Sequence, residues 1–237
     1  MIKRTLKRHS RRYLRKLRAL VVAAIIAAAV GAWYQYDRQP AAPAPADAIE
    51  RIHSALDTLE SLPVRPAELG SDYDRTRDFG PRWTDNNATR LGHNGCRTDD
   101  DVIREQVLDA VMEDRCTVVS GTVNDPYSGQ SYPFERSAVQ VDHVVALKAI
   151  WTTGGRYLSS SERRDIANDE HNLIVVNASD NMSKGNKDFS QWRPSNAAYV
   201  CIYGANQIEV KSRYNLWVTP DEEAALRDHL TDCLGAS

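Results

Sequence analysis

The apolar positions of the chain change period several times, and each change marks an element. Residues 47–62 place Ile49, Ile52, Leu56, Leu59 and Leu62 at helical spacing, and Pro63 closes the run. Residues 72–95 are polar and rich in Asp, Asn, Gly and Arg, which predicts an irregular loop. Residues 99–112 predict a helix with Val102, Ile103, Val107, Leu108 and Val111 along one side. The period then shortens. Residues 117–123 and 131–134 are β-prone, and Asp125-Pro126-Tyr127-Ser128-Gly129 between them reads as a hairpin turn. Residues 138–145 predict a further strand and residues 173–176 a short apolar one. Helical pieces are expected within 148–169, broken at 152–155. More are expected over 179–192, capped by Ser179 or Asp180 and stopped by Pro194, and over 197–214. Thr219-Pro220-Asp221-Glu222 starts a last helix running to about Cys233: a hydroxyl cap, proline in the first turn, then acids facing the helix dipole. Helices and short strands mix without an internal repeat, so the class expected is α+β.

The first 36 residues are of another kind. Residues 1–18 carry nine Lys or Arg and no acid, and residues 19–36 carry no formal charge. A basic flank before an apolar run reads as a signal sequence or a single membrane anchor, which places the rest of the chain outside the cytoplasm. Residues 37–48 follow as a Pro/Ala-rich linker, stiff and without a core. Residues 49–237 remain as the folded domain. The formal charge of −2 hides this division, because beyond residue 18 only 21 basic residues face 32 acidic ones, a net −11. That balance excludes a broad basic face that coats nucleic acid by charge alone.

Cysteine usage agrees with export. Cys96, Cys116, Cys201 and Cys233 contain no C-x-x-C pair, which argues against a zinc ribbon. An even count in an exported chain suggests two disulfides. Of three connectivities, Cys96–Cys116 with Cys201–Cys233 is expected, since each pair brackets one compact segment.

Candidate chemistry lies between residues 142 and 185. Asp142-His143 ends an apolar strand, Asn172-Leu173 opens the next, and Asn181 stands nine residues beyond Asn172, followed by Met182-Ser183-Lys184-Gly185. Asp and Asn oxygens are hard ligands, suited to Mg²⁺ or Mn²⁺. A histidine that is not a metal ligand can deprotonate an attacking water near neutral pH. In an ideal strand Asp142 and His143 face opposite ways, but at a frayed end both can line one site. Metal on the phosphate and imidazole on the water are the two parts that phosphodiester hydrolysis needs.

The order D-H … N-L … N-x-x-K-G resembles the HNH (His-Asn-His) nucleases, which have a ββα-metal fold. The wider context resembles the exported HNH proteins related to the GmrSD C-terminal domain. Matching stretches include Tyr73-Asp74-Arg75, Phe79-Gly80, Trp83, Asn94-Gly95-Cys96, Asp125-Pro126-Tyr127, Ile150-Trp151, Ala167-Asn168-Asp169 and Val210-Lys211. The likeness spans roughly residues 50–233 and implies a ββα-metal core with additional helices. By that likeness His143 is the general base and Asn172 ties the loop between the two strands and helps orient it. Asp142 and Asn181 hold the divalent metal, Mg²⁺ ahead of Mn²⁺, and Lys184 contacts a substrate phosphate. One departure matters. Relatives usually read D-T-R-N-D after the first Cys, whereas here the string is Arg97-Thr98-Asp99-Asp100-Asp101, so Arg97 is the candidate to replace the missing arginine at the phosphate.

Other residues have plainer readings. His171 is expected at the surface, and Trp83, Trp151, Trp192 and Trp217 in the core. Two functions are open. The first is a metal-dependent endonuclease outside the cytoplasm, with nucleic acid as its substrate, DNA ahead of RNA. The second is a non-catalytic cell-surface binding module that keeps the ββα scaffold. A membrane contact is expected through residues 19–36 if they are not cleaved, and no protein partner is read.

Overall fold

The computed structural model describes residues 46–235. The expected signal or anchor and nearly all of the linker therefore lie outside the described residues. Among the described residues no helix is long and apolar enough to cross a membrane.

Helix α1 (Ala46–Ser61) comes first, with Ile52 and Leu59 fully buried, as its apolar spacing predicts. A short helix α2 (Arg75–Phe79) interrupts the polar stretch and is capped by the Asp74 carboxylate, which accepts from Thr76 N and Arg77 N. Helix α3 (Thr98–Gln106) leads directly into β1 (Val107–Met112), β2 (Val118–Asn124) and β3 (Ser131–Pro133), an antiparallel sheet in that order. Strand β4 (Val139–His143) is followed by α4 (Leu147–Thr152) and α5 (Ser160–Ile166). Strand β5 (Leu173–Asn177) returns antiparallel to β4, and α6 (Ala178–Lys184) follows it at once. Helices α7 (Ala197–Arg213) and α8 (Pro220–Gly235) close the chain. The mixture of helices and small sheets is the α+β class expected.

Two side-chain faces make the β4–β5 pair the centre of the domain. Val139, Val141, Leu173 and Val175 pack with α3 and the three-stranded sheet in one core. Ile174 and Val176, on the other face, pack with α1, α7 and α8 in a second core. A third core gathers Phe79, Leu147, Ile150, Trp151 and Ile166 around the segment that joins β4 to β5.

Two expected boundaries are corrected. The helix over 99–112 stops at Gln106, because Val107–Met112 finds a cross-strand partner in β2 and becomes β1. A bulge near Asp109, whose φ is 51°, absorbs the irregular register. The helix over 179–192 ends at Lys184, where Gly185 turns the chain with φ 56°, and its cap is Asn177 rather than Ser179 or Asp180. Phe189, beyond that turn, is fully buried as a loop residue.

Both expected disulfides are present, Cys96–Cys116 and Cys201–Cys233. The second joins α7 to α8, which also share a buried ion pair, Lys211 Nζ to Glu222 Oε2 at 2.6 Å. Glu222 belongs to the start signal of α8. Its backbone N–H donates to Thr219 Oγ1, and its carboxylate accepts from Thr219 N. Cys201–Cys233 closes a loop of 32 residues. Replacing both cysteines by serine is expected to cost roughly 3–4 kcal/mol, read as a lower urea midpoint, with no further loss on adding reductant beyond that due to Cys96–Cys116.

Candidate active site

His143 is the last residue of β4 and is paired in register with Leu173, so the strand is not frayed there. Alternation along β4 therefore keeps His143 on the face of Val139 and Val141, and Asp142 on the face of Gln140. The frayed strand end that would turn both side chains into one site is not what the chain adopts.

On its face, His143 is half-buried and its ring lies flat on the indole of Trp83, centroids 5.1 Å apart and planes 9° apart. Trp83, expected in the core, is half-buried, reaches this position from a backbone φ of 56°, and serves as the cover of the imidazole. Nε2 of His143 lies 2.9 Å from the carbonyl oxygen of Ala167. A carbonyl can only accept, so in the neutral ring Nε2 carries the proton and Nδ1 holds the lone pair. Desolvation lowers the imidazole pKa to about 3, although the Ala167 bond opposes this, and the charges of Arg75, Lys184 and Arg82 lower it further. The ring is therefore neutral, the form a general base needs.

Asn172 fixes the frame around that ring. It is fully buried; its Oδ1 accepts from Val145 N at 2.8 Å and its Nδ2 donates to Ile166 O at 3.2 Å. Its own carbonyl accepts from Val144 N. One side chain thus ties the exit of β4 to the end of α5, next to the Ala167 carbonyl that orients His143.

On the opposite face of β4, Asp142 is buried and fully engaged. Oδ2 accepts from Tyr127 Oη at 2.8 Å and lies 3.0 Å from Lys184 Nζ, and Oδ1 accepts from Lys184 at 3.2 Å. Lys184 is fully buried and also donates to the His143 carbonyl at 2.7 Å. The expectation that Lys184 meets a substrate phosphate therefore gives way to an internal role, because its ammonium is enclosed and neutralises Asp142. Asn181, one helical turn earlier on α6, donates from Nδ2 to Gln140 Oε1 at 2.7 Å. The oxygens of Asp142 and Asn181 suit a hard divalent cation by donor type. The positive charge at Asp142, however, is supplied from within by Lys184, which a metal would have to displace.

Arg97 is likewise committed. Its Nε lies 3.0 Å from Asp99, which is buried and also takes Arg136 at 2.9 Å. Asp99 thus draws Arg97 to itself. A separate group, Asp169, Glu170 and His171, brings ligand-type atoms within 4.8 Å of one another. Asp169 already accepts from His171 and from Tyr214 Oη, and Glu170 pairs with Arg90.

Two antiparallel strands followed by a helix, with histidine at the first strand's end and asparagine holding the return, are the arrangement that the HNH likeness implies. A family model described as the GmrSD restriction endonucleases, C-terminal domain, matches residues 97–229, and the chain belongs to that family. The chain is also similar to a protein of Arthroderma benhamiae named "Uncharacterized secreted protein", 34% identical over 198 residues, which cover 81% of this chain and 93% of the relative. No solved structure matches. Domains of the HNH type generally use a divalent metal.

Removing the Lys184 ammonium leaves Asp142 as an uncompensated buried charge. Lys184→Met is expected to cost about 3–5 kcal/mol in urea unfolding, and the double variant Lys184→Met/Asp142→Leu to recover most of that. A phosphate-contacting surface lysine would cost almost nothing. His143 sets a pH dependence. Below pH 6.5 the unfolded chain protonates this ring while the folded one does not until about pH 3. Stability should therefore fall with falling pH across that window, by up to about 1.4 kcal/mol per unit. His143→Gln, compared with the parent by urea melts at pH 6 and pH 4, should show a shallower loss.

Proposed function

We propose that the chain is an endonuclease that hydrolyses phosphodiester bonds in nucleic acid outside the cytoplasm, with DNA ahead of RNA as substrate. The observation that carries this reading is the state of His143: a neutral imidazole held by one nitrogen, with no partner for the other nitrogen's lone pair among the described residues, in an HNH-type domain. In this role Nδ1 takes a proton from water as the water oxygen attacks phosphorus, and the P–O bond to the leaving sugar oxygen breaks, that oxygen taking a proton from solvent. A phosphate anion beside the ring raises its basicity and brings the proton transfer closer to balance. Asn172 acts through His143, by fixing the carbonyl frame that orients it.

Asp142 and Asn181 would hold the divalent ion of a ββα-metal site, Mg²⁺ ahead of Mn²⁺. When bound, such an ion stabilises the charge that builds on the phosphate. For this, Lys184 has to yield Asp142, and the end of β4 has to turn so that Asp142 and the His143 ring, which the paired strand holds on opposite faces, meet one phosphate. The two disulfides and the secreted relative support action outside the cytoplasm, and the basic flank with its uncharged run supports export or anchoring.

One observation favours a second reading, a cell-surface binding module without turnover. The Asp142–Lys184 pair balances its own charge and keeps the scaffold without a metal. Plasmid nicking by the purified chain with Mg²⁺, and again with chelator, separates the two. On the nuclease reading, His143→Ala should lower the nicking rate about 10²–10⁴-fold while thermal melting shows a folded protein. Asn181→Ala should lower it with partial rescue at high Mg²⁺. Nicking at the parent rate by folded His143→Ala would make the binding module the better account.

A further inference from the structure

Most arginines near the site in sequence meet a carboxylate: Arg77 pairs with Asp78, Arg90 with Glu105, Arg97 with Asp99 and Arg104 with Asp101. Arg75 and Arg82 do not. Arg75 is half-buried, and its Nη1 donates to the Gly80 carbonyl at 3.0 Å, a neutral partner. Arg82 is exposed and has no hydrogen-bond or ion-pair partner among the described residues.

The backbone explains why these two come to the site. Arg75 opens α2, and its bond to Gly80 closes the turn after that helix, where Gly80 has φ 78°. Arg82 follows two residues later and directly precedes Trp83, whose indole stacks on His143. The two guanidinium charges act on each other, on Tyr73 and on the His143 ring. Two like charges held near each other and near a neutral imidazole oppose one another, and in a domain with excess acid no carboxylate has been placed to relieve them. An anion between them would. Guanidinium forks match phosphate oxygens in a bidentate way.

We propose that Arg75 and Arg82 form the phosphate clamp of this site and grip the nucleic-acid backbone next to His143. The inference rests on the nuclease reading for the identity of the anion. It assigns to these two the role that Arg97 and Lys184 cannot fill, since both of those cations are spent on aspartates. It also gives an acidic domain a local, rather than a broad, way to hold a polyanion.

The test uses the full chain carrying His143→Ala, so that binding is read without cleavage, and a fluorescent DNA duplex followed by anisotropy over a salt series. Arg82→Gln, which is exposed and outside every core, should weaken binding by about ten-fold or more. It should also reduce the slope of log affinity against log salt by about 0.9, and Arg75→Gln/Arg82→Gln by about twice that. Arg77→Gln, an exposed arginine with its own carboxylate, should leave both quantities as in the parent. If Arg82→Gln and the double variant, folded by thermal melt, bind with the parent affinity and slope, the clamp is wrong. It is also wrong if the parent does not bind the duplex. Binding with these slopes in the His143→Ala background, together with an unsubstituted chain that never nicks plasmid with Mg²⁺, would sustain the clamp and overturn the nuclease reading.

Discussion

A carboxylate buried on a strand has to be given partners, and Asp142 receives them from two other parts of the chain. Lys184 reaches it from the last turn of α6, and Tyr127 from the turn between β2 and β3. In an apolar setting an unpaired charge costs several kcal/mol, so these three elements are locked in one arrangement. The same ammonium holds the His143 carbonyl, which fixes the end of β4 from the side opposite the imidazole. Asn181 keeps its place above Gln140 because α6 is pinned one turn further on. The pair is thus both a strut of the ββα unit and the rival of any metal at Asp142.

The other face of β4 is organised by polar groups that have no charge. Asn172 replaces missing main-chain partners at the exit of the strand and holds the end of α5 against it. His143 leans on the neighbouring carbonyl, under the indole of Trp83. A ring so covered stays neutral, and its reactivity depends on what negative charge arrives beside it. The guanidiniums of Arg75 and Arg82 supply a reason for such a charge to arrive.

Around this centre the helices are held by covalent and ionic ties. Cys96–Cys116 joins the start of α3 to the loop before β2, and Cys201–Cys233 joins α7 to α8. The second lies in the same helix pair as the buried Lys211–Glu222 ion pair. Both staples lie in segments that pack on the two faces of the β4–β5 pair, and disulfides of this kind persist in an oxidising surrounding.

Local physics made much of this legible in the sequence. The apolar spacing gave α1, the Thr219-Pro220 start gave α8, the turn chemistry at residues 125–129 gave the β2–β3 hairpin, and the compact segments gave both disulfides. The D-H, N-L and N-x-x-K-G strings located His143, Asn172 and Asn181 on the right elements. Residues 107–112 carry the helical spacing of the run before them, yet they form a strand because β2 is there to bond them. Trp192 looked helical until Gly185 turned the chain. Lys184 and Arg97 carry the charge a phosphate wants, but charge alone does not say which acid a cation will meet first. Asp142 and Asp99 are each buried by packing between distant segments, and burial makes an ion pair with the nearest cation far stronger than any contact in water. Sequence determined which side chains were present and the local elements that carry them. Only the tertiary structure decided which cations meet an aspartate, Lys184 at Asp142 and Arg97 at Asp99, and that Arg75 and Arg82 meet no carboxylate among the described residues while their charges act on the imidazole.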